Sequence, residues 1–202
     1  MPRAALDEEQ IEAYRDRVLT AAEHLFAGSG YTAVTMRAIA SELGCSPMTP
    51  YRYVGGKAEV FALVKARSFG RFAARQEEAV AGHSEPMARL AALGRAYVSF
   101  AMEEPDAYCI MFELDGDQGD QDYSVLTEQE RRAWLPLLGS VTAAIESGHL
   151  GGDPETVAHV FWAGLHGLVS LELAGKLVMG RDVGDIGEAM MLTLVRGNIA
   201  VL

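Results

Sequence analysis

From Thr35 to Lys57 the chain runs TMRAIASELGCSPMTPYRYVGGK, and this stretch constrains the fold more than any other. Met36, Ile39, Ala40 and Leu43 recur at i, i+3, i+4 and i+7, which is one apolar face of a short helix. Thr35 is placed to cap its first turn, and Gly44 supplies the permissive backbone needed just past its end. Ser46 then opens a second short segment, Pro47 to Tyr53, which carries hydroxyls, aromatics and Arg52 in place of an apolar stripe. Ala40 and Gly44, four apart, suit a first helix that approaches the second closely. Two short helices joined by a tight glycine-containing turn, the second polar on its outer side, describe a helix-turn-helix.

Such a pair of helices also occurs in ordinary helical proteins, so the spacing alone decides little. The donors that follow add weight: Thr49, Tyr51, Arg52, Tyr53 and Lys57 bring hydroxyls and cations into a few residues, the usual groups that contact phosphate. Charge along the chain agrees. The net charge is −11, yet residues 17–75 hold eight Lys/Arg against three acids, a balance of +5. The remainder from Gln76 onward carries −13, and the first sixteen residues −3. A basic segment on an acidic body favours DNA in one orientation and repels it in others. The expected DNA-contacting residues are Thr35, Arg37, Ser46, Pro47, Met48, Thr49, Tyr51, Arg52, Tyr53 and Lys57.

A length of 202 residues bounds the chain at one or two modest domains, and 50% hydrophobic residues suffice for a core. No uninterrupted apolar run is long enough to span a membrane. The start, MPRAALDEEQ, shows no apolar stretch behind a basic end, so no secretory signal is expected and a cytoplasmic location is. Cys45 and Cys109 lack metal or redox spacing and are expected as reduced, buried thiols.

The rest of the chain predicts helix after helix and no sustained period-two alternation, so the expected fold is all-α. Asp7 and Gln10 resemble a capping box opening a first helix that Gly28, Ser29 and Gly30 break after Ala27. Further helices are expected from Lys57 to the Gly82 break, Pro86 to Glu104, Pro105 to Leu114, Thr127 to Ser147, Asp153 to Leu177 and Val183 to Val201. The expected division is a head, residues 1–62, and a body, residues 63–202. The helix after Asp153 is apolar nearly all round and needs cover on two sides. Gly164, Gly167 and Gly175 would permit close helix approach. Phe161, Leu165 and Leu168, with Met190, Leu194 and Gly197 of the last helix, are expected to form a homodimer interface.

Residues from about Arg17 to Val64 resemble the N-terminal domain of the TetR family of transcriptional regulators. The resemblance rests on FAGSGY, T-x-R-x-I-A, the G-C-S turn, the pair Tyr51 and Tyr53, and K-x-E at Lys57 and Glu59. Within FWAGLHGLVSLELAG, Trp162, His166 and Gly167 resemble the WHG-type C-terminal domain of a subset of these regulators. The resemblance implies a homodimer built on a four-helix interface, operator DNA as partner and a small-molecule effector bound in the body. Pro50 departs from the family, which places an apolar residue there. Proline late in a helix that began at Ser46 would lose a hydrogen bond and crowd a carbonyl. Alternatively, Thr49 caps a helix with Pro50 at its first position.

The expected effector-lining residues are Tyr97, Phe100, Tyr108, Met111, Phe112, Trp134, Trp162 and His166, though aromatics at helical spacing are more often plain core. Asp115 to Asp122 lacks the glycine and glutamate of a calcium loop, and Glu155 with His159 is two metal ligands without a third. No nucleophile elbow, phosphate-binding loop or dinucleotide fingerprint is present, so neither enzymatic activity nor a cofactor is expected. The expected function is a ligand-responsive DNA-binding repressor. The alternatives are a helical enzyme or small-molecule carrier with an incidental helix-turn-helix, and an acidic adaptor for protein partners.

Overall fold

Where the sequence offers a capping side chain, a helix starts. The computed structural model describes residues 7–112, 124–178 and 180–199. Among them lie eight α-helices, and the fold is all-α as the periodicity predicts. In α1 (Glu8–Ala33) the Asp7 carboxylate accepts the Gln10 backbone N–H at 2.8 Å and the Gln10 side chain returns the contact, a reciprocal cap. The expected break after Ala27 is narrower than predicted. Only Gly30 leaves helical geometry, at φ 72°, and the helix resumes through Ala33.

Thr35 Oγ1 accepts the Ala38 N–H at 3.1 Å to open α2 (Met36–Glu42). Cys45 N–H returns to the Ala40 carbonyl and Gly44 N–H to that of Ser41, with Gly44 at φ 66°. This is the Schellman closure, which needs a left-handed residue at the glycine position. Next come α3 (Lys57–Ala81), α4 (Pro86–Glu103) and α5 (Pro105–Met111). Helix α6 (Ser124–Glu146) starts three residues before its expected Thr127.

Helix α7 (Pro154–Leu173) opens on Asp153, whose carboxylate accepts the Thr156 N–H, with proline first in the helix. It ends four residues before the expected Leu177. Gly175, at φ 62°, sits outside it as the closing residue of a second Schellman turn, so it is no site of helix approach. Helix α8 (Val183–Gly197) has its own reciprocal cap, Asp182 with Asp185. The acidic Asp115–Asp122 stretch and the far ends of the helices expected from Pro105 to Leu114 and from Val183 to Val201 lie outside the described residues.

Contacts divide the chain into two compact units. One comprises residues 1–69 with 106–129, the other 70–105 with 130–202, so the first division falls inside α3. These units are defined by compactness, the expected boundary at residue 62 by function. In the first unit Val18, Phe26, Ile39, Val60 and Val64 form the centre of an apolar core. The second is built around Leu90, Val141, Leu150, Val157 and Phe161. Arg132 Nε donates to Glu77 at 2.6 Å within it, and Arg71 to Glu104 at 2.7 Å, so polar struts join its helices.

Candidate nucleic-acid interface

Pro50 decides how the segment after Gly44 folds. A regular second helix does not form. Ser46 to Val54 instead runs through successive tight turns with a single 3-10 turn at Pro50–Arg52, and proline takes its first position. The later of the two expected starts therefore matches in position. Its cap does not: the Thr49 side chain makes no capping bond and instead shares a 2.9 Å hydrogen bond with the Ser46 hydroxyl. Pro50 itself is buried, as is Val54 at 4% exposure. Proline thus fills the apolar slot that anchors the turn, and the lost helical hydrogen bond is avoided because no helix precedes it.

Anchoring the turn at Pro50 and Val54 sends the intervening side chains outward. Ser46, Pro47 and Arg52 are exposed, and so is Arg37 on α2. Met48 is 68% exposed and Tyr51 46%, the former an uncommonly open position for an apolar side chain. The result is one outward surface of a guanidinium, hydroxyls, an aromatic and a thioether, on a short rigid turn held by a buried proline.

Two expected contact residues point inward. Tyr53 stacks on Tyr14 with ring centroids 4.2 Å apart. Lys57 Nζ donates to the Tyr31 carbonyl at 3.1 Å and lies 4.1 Å from the Tyr31 ring centroid. An ammonium has three donors, so Lys57 keeps two for another partner. Thr35 is engaged as the α2 cap.

Tyr14 is a residue of this site that sequence reasoning missed. Its hydroxyl donates to Cys45 Sγ at 3.4 Å while its ring backs Tyr53, so it braces both ends of the reading segment. Burial, and then the bond to Cys45, push its hydroxyl pKa up to about 12. It lies 31 residues from Cys45, and no local pattern signals such a pairing. Cys45 is half-buried rather than fully so, and Cys109, expected in the core, is exposed; neither is in a disulfide.

Three of the eight expected effector-lining residues lie in the first unit and five in the second. Tyr108, Met111 and Phe112 belong to the first unit, where Tyr108 and Phe112 pack at 5.0 Å between rings. In the second, Tyr97 and Phe100 pack edge-on against Phe72. The Tyr97 hydroxyl meets His166 Nδ1 at 3.3 Å, and a row of rings continues from His166 through Trp162 to Trp134. Burial lowers the His166 pKa below 6.5, which favours the neutral ring. None of the eight lines the groove that opens between α4 and α8.

The expected dimer residues of α7 are turned the other way. Phe161, Leu165 and Leu168 are buried at 1%, 5% and 4% exposure inside their own unit. The apolar outward positions of α7 are Val160 at 40% and Leu171 at 48% exposure, with Ala163 and Gly167 between them. On α8, Leu194 packs within the unit against Gly164, Met190 is half-buried and Gly197 is exposed. Among the described residues no cluster of three or more His, Cys, Asp or Glu could hold a metal, and no helix is long and apolar enough to cross a membrane.

Comparison with known proteins meets this geometry. Residues 18–64 match the family model for bacterial regulatory proteins of the tetR family. Residues 90–194 match a tetracyclin repressor-like C-terminal domain, which does not carry the WHG designation suggested by Trp162, His166 and Gly167. An uncharacterized HTH-type transcriptional regulator of Mycobacterium tuberculosis, Rv0681, is 26% identical over 91% of this chain and 80% of its own length. A Rhodococcus sp. RHA1 protein of unknown function superposes with a TM-score of 0.79 at 27% identity, covering 99% of this chain and 100% of that one. The regulator FadR of Bacillus subtilis, solved in complex with stearoyl-CoA, has the same fold: TM-score 0.75, 20% identity, with 90% and 98% of the two chains covered.

Proposed function

Since this chain belongs to the TetR family and is a DNA-binding transcriptional regulator, we propose that it works in the cytoplasm as a homodimeric repressor released from its operator by a small, largely apolar molecule. The head is residues 1–62 and the body residues 63–202. The observation that carries this reading is the outward surface of Arg37, Ser46, Pro47, Met48, Tyr51 and Arg52, set on a turn anchored by buried Pro50. Hydroxyls and guanidinium groups position a protein on phosphates, while Met48 is an apolar tip of the kind that contacts a thymine methyl.

Repression and release follow from linkage. Two copies related by a twofold axis would place two reading turns in successive major grooves. The outward face of α7, Val160, Ala163, Gly167 and Leu171, supplies an apolar surface for the second copy. An effector releases DNA only if it binds the operator-incompetent arrangement more tightly, and the operator must weaken effector binding by the same factor. Helix α3 contributes residues to both units and is the segment through which such a change would travel. The complex of FadR with stearoyl-CoA, an apolar chain on a charged carrier, supports by analogy of fold only that the effector has a long apolar part.

The test is a titration of labelled genomic fragments with the protein and its Arg52→Ala and Tyr51→Ala variants. One fragment class should bind in preference, and each variant should lose roughly tenfold or more, the effect of about 1–3 kcal/mol. Binding that ignores both substitutions would overturn the assignment of this surface.

A further inference from the structure

Helices α4 and α8 of the second unit meet at Gly94, where an added Cβ would come 2.9 Å from the sulfur of Met191. Around that contact lies a groove of about 690 Å³, with Met87, Leu90, Val98, Leu165 and Val195 among its walls. That volume falls in the range of small-molecule sites, roughly 300–1,000 Å³. Glycine within a helix is unfavourable, yet α8 places Gly187 on the lining, where an added Cβ would meet nothing within 4 Å. Space is kept open there.

Among the described residues, two charged side chains line this groove, Arg95 and Glu188. Both are exposed and neither has an ion-pair or hydrogen-bond partner among the described residues. One donor and one acceptor of opposite charge leave no net charge to attract an ion. The chain from Gln76 onward carries −13, which disfavours an anion further. Apolar walls make burial of any charged group costly.

We propose that the groove between α4 and α8 is the effector site, and that it takes an uncharged, elongated apolar molecule with one hydrogen-bonding end, such as a long-chain alcohol or ketone. The effector role rests on the reading of the chain as an effector-released regulator. The apolar body lies along the walls, and the polar end meets Arg95 and Glu188.

The experiment uses the full chain, the uncharged dye Nile red as reporter and ten-carbon competitors. 1-Decanol should displace the dye at least tenfold better than decanoate or decylammonium. Shortening the alcohol should weaken it by about fourfold per methylene. Gly187→Leu, which fills the open space, should lower the affinity of dye and alcohol at least tenfold. Gly139→Leu, also at an open helical position but off the groove, should not. Arg95→Met, at an exposed position, should weaken 1-decanol severalfold without unfolding the protein.

Equal binding of the charged analogues, or equal effects of the two glycine substitutions, would overturn the proposal. A Gly187→Leu variant that changes sedimentation but not dye binding would also overturn it, by giving the groove to a second copy. Operator titrations run alongside separate the two readings. Dye binding with these dependences in a protein that never binds DNA would sink the regulator reading and leave the groove's ligand class standing. Release of the operator by 1-decanol from Gly187→Leu as readily as from wild type would sink the groove and leave the regulator standing.

Discussion

Lys57 has two tasks that a single substitution can separate. Its ammonium donates to the Tyr31 carbonyl at 3.1 Å and sits 4.1 Å from the Tyr31 ring centroid, tying the start of α3 to the end of α1. The Tyr31 carbonyl also accepts the Val34 N–H at 3.3 Å, so truncating Lys57 leaves no orphaned acceptor. The loss is then the charge-assisted bond, discounted to about 1–1.5 kcal/mol for a half-buried group, plus a cation–π contact of about 0.5–1 kcal/mol. Lys57→Ala should therefore cost about 2 kcal/mol, which for a chain of this length lowers Tm by about 4–8 °C. Circular dichroism reads that change. The two donors left over should contact one phosphate per subunit, so anisotropy titrations between roughly 50 and 200 mM salt should lose about one unit of log–log slope per subunit. A Tm within about 1 °C of wild type would refute the structural role, and an unchanged slope would remove Lys57 from the DNA contact.

Other outcomes follow from the same geometry. Met48→Ala should leave stability within about 0.5 kcal/mol, because the side chain is 68% exposed, while discrimination at one A·T position falls by about 1 kcal/mol in operator-variant competition. Gly164→Leu drives a side chain into Leu194, whose Cδ1 lies 2.9 Å from the position of an added Cβ. It should cost about 1–3 kcal/mol in chemical denaturation even after the gain in helix propensity. Raising pH should erode stability from 10.0 toward 12. Unfolded tyrosine ionises near 10.0 while Tyr14 in the fold holds its proton to about 12, and Tyr14→Phe should flatten that limb. Lowering pH below 6.5 should also destabilise, because the unfolded state protonates its histidine before His166 in the fold does, and His166→Gln should reduce the slope.

Local chemistry was the legible part of this chain. The caps at Asp7, Thr35 and Asp153, and the left-handed turn at Gly44, depend on neighbours within a few residues, and sequence reasoning located each. Pro50 was legible as a conflict but not as a solution. That the segment abandons a helix for a 3-10 turn depends on the core that buries the proline ring. Long-range pairings gave no signal: Tyr14 with Cys45, or Tyr31 with Lys57, join residues 31 and 26 apart. The α7 faces show the limit of periodicity. It correctly marked a helix apolar on two sides, but which side the protein covers itself depends on where α4 and α8 pack, so Phe161, Leu165 and Leu168 were assigned outward and lie inward. The groove has no sequence signal because part of its lining is Ala91, Gly94, Gly184 and Gly187, small residues whose spacing forms no pattern.

We propose that two copies of the turn from Ser46 to Arg52 read one duplex. Hydroxyl-radical footprinting of the preferred genomic fragment, with the mass of the complex measured on the same sample, tests it most directly. Paired chains should occupy each site and protect two patches about 34–36 Å apart or a multiple of that, with both patches lost together in the Tyr51→Ala, Arg52→Ala double variant. A single patch protected by one chain, or a footprint that survives the double variant, would contradict it.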